Sequence, residues 1–143
     1  MRLVLDTSAA ANIVLQTALA PGLMTLLEQA DRVIAPALMH SELGNTLWKA
    51  VRFSGLDIAQ AMNHYENAVN LVDEFIADET VMHLALRNAV LHGHPVYDMV
   101  FVATAQQHGC SLLTVDRKLM ALTRSMDSNL VVGVDMPNAS DLI

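Results

Sequence analysis

Four short apolar runs, parted by longer stretches of helical period, constrain what this chain can fold into more than any other feature. They are Leu3-Val4-Leu5, Val33-Ile34-Ala35, Leu112-Leu113-Thr114-Val115 and the stretch from Leu130 to Val134. None shows the in-out alternation of a strand with one wet face, so each reads as a buried strand. A weaker fifth strand falls within Leu71 to Ile76, where Asp73-Glu74 interrupts the apolar residues. Short strands alternating with helices predict an α/β fold, a mostly parallel sheet flanked by helices and joined by right-handed crossovers.

The helical segments follow from period and punctuation. Ala9 to Gln16 and Gly22 to Ala30 are parted by Pro21-Gly22. In the next helix Leu38, Leu43, Leu47 and Val51 share one face, Glu42, Asn45 and Lys49 another, and Gly55 ends it. Ala59 to Val72 is a further helix, with Met62, Tyr65, Val69 and Val72 as its core stripe. Thr80 to Leu91 and Tyr97 to His108 are helices around a His92-Gly93-His94-Pro95 loop, and a short one is expected around Leu119 to Thr123. With 143 residues and no repeat or linker, the chain reads as one domain over 1–143.

Composition narrows function. At 53% hydrophobic and only 4% aromatic, the core is aliphatic and methionine-rich, which argues against RNA recognition on an aromatic stacking platform. A net charge of −7 weighs against tight non-specific nucleic-acid binding. The single cysteine, Cys110, supports neither a disulfide framework nor a cysteine zinc site and reads as a buried structural residue. Thr7 to Leu27 is uncharged and contains Ala18-Leu19-Ala20, like a secretory cleavage site. Asp6, Pro21-Gly22 and the polar Thr7, Ser8, Asn12, Gln16 and Thr17 break that stretch up, so a cytoplasmic protein with no membrane segment is expected.

The chemistry-bearing residues are four acids. Asp6 closes the first strand and Asp116 the strand Ser111 to Val115, while Glu42 and Asp98 lie near the starts of helices. In open parallel sheets, ligands bind beyond the carboxyl ends of the strands, so Asp6 and Asp116 mark one rim. Two carboxylates about 5 Å apart repel by roughly 3 kcal/mol at an effective dielectric near 20. A divalent cation removes that repulsion, and all-oxygen donors favour Mg²⁺, with Mn²⁺ as substitute, over zinc. Such an ion activates water and stabilises in-line displacement at phosphorus, so phosphodiester hydrolysis is the natural reaction. Thr7, Ser8, Asn45 and Thr114 are short polar groups beside the acids, suited to orienting a carboxylate, water or phosphate. Lys49, Arg117 and Lys118 neighbour the same positions and are candidate phosphate contacts.

Four motifs, in order, carry a resemblance. They are Asp6-Thr7-Ser8 after a strand, Glu42-Leu43-Gly44-Asn45-Thr46-Leu47 on a helix, the Tyr97-Asp98 segment through Ala105, and Leu112 through Leu119 around Thr114-Val115-Asp116. Together they resemble the motifs of PIN-domain nucleases, and most of all VapC-type toxins of toxin–antitoxin pairs. The resemblance implies a three-layer α/β/α fold and a Mg²⁺-dependent endoribonuclease, often a homodimer, held inactive by a small antitoxin. It implies Asp6 and Asp98 as principal metal ligands, Glu42 and Asp116 completing the site, and Thr114 as supporting hydroxyl. The departures are Gly44 inside a helix and the acidity of the chain.

Three other readings compete. A phospho-accepting receiver domain also binds Mg²⁺ at strand ends, but Asp6 has no acidic neighbour and no strand-end lysine faces it. A phosphatase with an aspartate nucleophile wants an acid where this chain has Ser8. A non-catalytic interaction module would leave the acids incidental. His92 and His94 read as exposed loop histidines without a ligand partner, His40 points away from Glu42, and Asp73-Glu74 and Asp78-Glu79 read as a solvated acidic rim.

Overall fold

The first strand, β1 (Arg2–Leu5), lies at the centre of a five-stranded sheet, and Leu3, Val4 and Leu5 are wholly buried. The computed structural model describes residues 1–134, and residues 135–143 lie outside that range. From β1 the chain passes through α1 (Thr7–Val14) and α2 (Ala20–Glu28) into β2 (Arg32–Pro36). It then runs through α3 (Leu38–Ser54) and α4 (Ile58–Val69) into β3 (Glu74–Ile76). A 3-10 turn at Asp78–Thr80 leads to α5 (Met82–His92), α6 (Val96–His108), β4 (Ser111–Leu113), α7 (Arg117–Met126) and β5 (Val131–Val132).

Every strand pairing is parallel, in the order β3-β2-β1-β4-β5. The chain therefore builds outward from β1 to one edge, then returns beside β1 and builds to the other. Right-handed crossovers that reverse direction place α1 to α4 on one face and α5 to α7 on the other. The packing agrees: α1 touches α2, α3 and α4, while α6 covers β1, β2 and β4 with α5 behind it. This is a three-layer α/β/α sandwich, as expected. The α6 run from Met99 to Ala105 is buried all round, which suits a helix enclosed between sheet and α5.

Local details depart from expectation where packing overrides pattern. The helix α4 ends at Val69, short of Val72; its buried positions are Ala61 and Ala68, Tyr65 is partly covered and Met62 is 63% exposed, so the stripe is turned by one residue. In α3 the buried face is Met39, Leu43 and Leu47, and Val51 is exposed. The last strand is only Val131–Val132, because a 3-10 turn takes Ser128–Leu130. Cys110 is buried, and burial raises its thiol above the ordinary range. Leu19, Leu23 and Leu27 pack into the core, so the uncharged early stretch folds as α1, an exposed turn at Gln16–Ala18 and α2 with one face buried. Among the described residues no helix is long and apolar enough to cross a membrane.

Three of the four acids expected as a solvated rim also bond within the fold, although Asp73, Glu74 and Glu79 are exposed as expected. Asp73 Oδ2 accepts from the Val33 amide at 2.8 Å, and Glu74 pairs with Arg32 across the β2–β3 edge. Asp78 Oδ1 accepts from the Leu38 amide at 3.0 Å, satisfying an orphan donor where α3 begins.

Candidate acidic active site

At the carboxyl ends of β1 and β4, where the strand order reverses, a cleft of about 270 Å³ opens. It is lined by Asp6, Thr7, Ser8, Glu42, Asn45, Thr46, Asp98 and Asp116. All four expected acids thus face one hollow, delivered by four separate segments. Larger hollows of about 490 Å³ on α5 and 390 Å³ between α3 and α4 are apolar and share none of the acids.

Asp6 is the innermost acid, 5% exposed, at the residue between β1 and α1. Its backbone amide donates to Leu113 at 3.0 Å, which extends the β1–β4 pairing by one residue and fixes where its side chain begins. Its Oδ2 accepts from Ser8 Oγ and, at 2.8 Å, from Thr114 Oγ1. Burial nonetheless holds its carboxyl above the usual range; those hydrogen bonds pull the other way, and the charge of Asp98 adds to the rise.

Glu42 sits one turn into α3, half-buried, and its Oε1 accepts from Thr7 Oγ1 at 2.8 Å. Burial raises its carboxyl too, opposed by that hydrogen bond and reinforced by the charges of Asp6, Asp98 and Asp78. Three acids therefore sense one another through a partly dry cleft.

Asp116 differs from expectation. β4 stops at Leu113, and Asp116 is the N-cap of α7, its Oδ1 accepting from the Leu119 amide at 3.0 Å. The cap brings α7 forward to Arg117, so the helix is longer than the stretch around Leu119 to Thr123. Thr114 links the two sides: it is fully buried, donates to Asp6 and accepts from the Asp116 amide at 3.1 Å.

Asp98 lies in the first turn of α6, and its Oδ2 meets His94 Nε2 at 2.7 Å. His94 is therefore no free loop histidine; it has an acid partner four residues on and belongs to the edge of the site. The available signal was the His94-Pro95 pair just before a helix, which holds the ring close to that helix's first turn. His40 does point away, its Nδ1 2.7 Å from the Tyr65 hydroxyl. Asn45 is exposed and faces the cleft, whereas Thr7 serves Glu42 rather than its neighbour Asp6. Lys49, Arg117 and Lys118 are exposed. Lys49 is one turn beyond Asn45 on the same face of α3, and Arg117 and Lys118 open α7 beside Asp116.

Among the described residues no three His, Cys, Asp or Glu side chains are gathered tightly enough to hold an ion as they stand. The donor set still suits a hard divalent cation: it is all oxygen, and its members repel one another. Asp6, Asp98, Glu42 and Asp116 are the residues that could close on one.

Comparison with known proteins places the chain in a family. Residues 3–124, which include all four acids, match the family model for the PIN domain. The chain is 31% identical over 121 residues to Ribonuclease VapC3 of Pyrobaculum aerophilum, covering 83% of this chain and 92% of that protein. It is 32% identical over 91 residues to Exonuclease VapC9 of the same organism, covering 62% and 67%. The crystal structure of PAE2754 from Pyrobaculum aerophilum superposes with a TM-score of 0.73 at 25% identity, covering 94% of this chain and 84% of that one. VapBC2 from Rickettsia felis, solved bound to a DNA fragment from the promoter, shares the fold at a TM-score of 0.67 and 12% identity, covering 94% and 100%. The chain belongs to the PIN domain family and is of the VapC type.

Proposed function

We propose that this protein is a Mg²⁺-dependent endoribonuclease, with Mn²⁺ as substitute ion, and the toxin of a toxin–antitoxin pair. The observation that carries the proposal is the convergence of Asp6, Glu42, Asp98 and Asp116 on one cleft. A relative named as a ribonuclease supports RNA as substrate. In this reading Asp6 and Asp98 are the principal ligands, with Glu42 and Asp116 completing the site. The bound ion would supply an activated water and neutralise charge developing on the phosphate.

The chain's own groups do the rest. Ser8 and Thr114 hold Asp6, and Thr7 holds Glu42, so the carboxylates meet the ion with little side-chain freedom left to lose. Asn45, Lys49, Arg117 and Lys118 are the groups for phosphate and backbone. They give a protein of net charge −7 a local cationic margin next to its acidic centre.

A cytoplasmic location and protein partners belong to the same proposal. Leu86, Val90 and Leu91 on α5 and Trp48, Ile58 and Met62 on α3 and α4 are all more than half exposed, more apolar surface than solvent favours. Two apolar faces suit a homodimer contact and a small antitoxin. Solved relatives from VapBC pairs support that partnership.

A circular single-stranded RNA tests the reaction, because an endonuclease linearises it and an exonuclease, the activity named for one relative, leaves it intact. Linear product is expected with Mg²⁺, and none with chelator or with a folded Asp98→Asn variant. Unchanged cleavage by Asp98→Asn overturns the assignment. Growth arrest on expression, relieved by the product of the neighbouring gene, tests the toxin role separately.

A further inference from the structure

Each acid of the cleft has its own tether, and the one on Asp98 is built differently from the others. Asp6 is held by the hydroxyls of Ser8 and Thr114, Glu42 by that of Thr7, and Asp116 by the backbone amide of Leu119 in the helix it caps. Asp98 is held by His94, from the connection between α5 and α6. That connection is stiff. Gly93 ends α5 with φ of 60°, a left-handed conformation that suits glycine, and the His94 amide donates to Ala89 at 3.1 Å. Pro95 is the N-cap of α6 and confines the backbone of the residue before it. The His94 side chain is 21% exposed and that of Asp98 36%, so water competes only partly for their bond.

An ionised carboxylate can only accept, so Nε2–H is the donor. We propose that His94 is a positioning residue for Asp98: its Nε2–H fixes Oδ2 and so orients a carboxylate that lines the cleft and would ligate a divalent cation there. The proposal rests on the metal-dependent reading above. Without His94, Asp98 alone of the four acids has no tether among the described residues, and binding an ion then costs the rotamer freedom of a free side chain. The role requires an N–H at that reach and does not require a charge, so glutamine should replace histidine.

Mn²⁺ affinity of the full chain, read from the electron paramagnetic resonance signal of unbound ion, tests this without reference to cleavage. His94→Ala is expected to weaken Mn²⁺ binding by about 10- to 100-fold, the usual effect of losing a group that orients a ligand. His94→Gln is expected to recover most of that loss. Wild-type or tighter binding by His94→Ala overturns the proposal, tighter binding meaning that histidine and ion compete for the carboxylate. Equal weakening in both variants, each with a native circular dichroism spectrum, also overturns it, since the ring would then act by packing. If His94→Ala does not fold, His94→Gln decides alone: near-native affinity supports the role and lost affinity refutes it. Asp98→Asn is the control, for wild-type Mn²⁺ binding there would bring down the metal site itself rather than the part played by His94.

Discussion

Thr114 Oγ1 donates to Asp6 Oδ2 at 2.8 Å, joining two residues 108 positions apart at the carboxyl ends of adjacent central strands. The same oxygen accepts the Asp116 amide, so one hydroxyl sets both the deepest acid of the cleft and the start of the helix that Asp116 caps.

Replacing Thr114 with valine keeps the volume and removes that junction. Stability to urea should fall by about 1–3 kcal/mol, because buried polar partners lose a hydrogen bond. Cleavage should fall by roughly 10- to 100-fold. Thr114→Ser, which keeps the hydroxyl, should stay near wild type in both measurements. A loss in Thr114→Ser with Thr114→Val near wild type would show that the methyl group, not the hydroxyl, matters.

Stability should depend on pH in an unusual sense. Burial lifts Asp6 above its ordinary value of 3.8 and Glu42 above 4.5, so the folded state holds those protons more tightly than the unfolded chain does. Stability from these groups is fully present below the ordinary values and declines as pH rises through the raised ones. Asp6→Asn should therefore be more stable than wild type at pH 7 in chelator, with the gap closing toward pH 3.5, while cleavage disappears. Urea midpoints across that range would reject the idea if Asp6→Asn were the weaker protein at neutral pH.

Arg117 and Lys118 stand at the N-terminus of α7, where the helix dipole disfavours cations. Their removal should therefore raise the melting temperature slightly. The same double alanine variant should bind single-stranded RNA more weakly, with the slope of log affinity against log salt lowered by about 1.4, roughly 0.7 per phosphate contact. An unaltered slope would remove both residues from the RNA path.

Gly44 lies inside α3, and a Cβ built there meets nothing within 4 Å. Gly44→Ala should raise stability by about 0.5–1 kcal/mol without change in cleavage. A destabilised variant in thermal melts would mean that the helix needs the glycine for a reason other than space.

The parts of this molecule legible in its sequence were those governed by local period and order. The strands at Leu3, Val33 and Leu112 and the parallel sheet followed from runs of residues whose burial is decided nearby, whereas the meeting of Asp6, Glu42, Asp98 and Asp116 was implied by the order of motifs shared with PIN-domain nucleases. What escaped was set by partners distant in sequence or by one turn of backbone. Asp73 and Asp78 looked like surface charge because the amides they satisfy, those of Val33 and Leu38, lie 40 residues away. Asp116 looked like the end of a strand because capping depends on a backbone break after Leu113 that an apolar Val115 does not announce. His94 looked free because its partner is reached only through the geometry of Gly93 and Pro95.

The central place of β1 has a consequence for when this protein becomes active. Its β2 partner emerges within about thirty residues, but its other edge stays bare until β4 arrives, after more than a hundred. Until then Thr114 and Asp116 are absent from the cleft and Asp6 lacks half its support. On the proposed function, a partly synthesised chain lacks two of its four acids' supports and one of the acids, and the cleft is complete only once β4 has paired with β1.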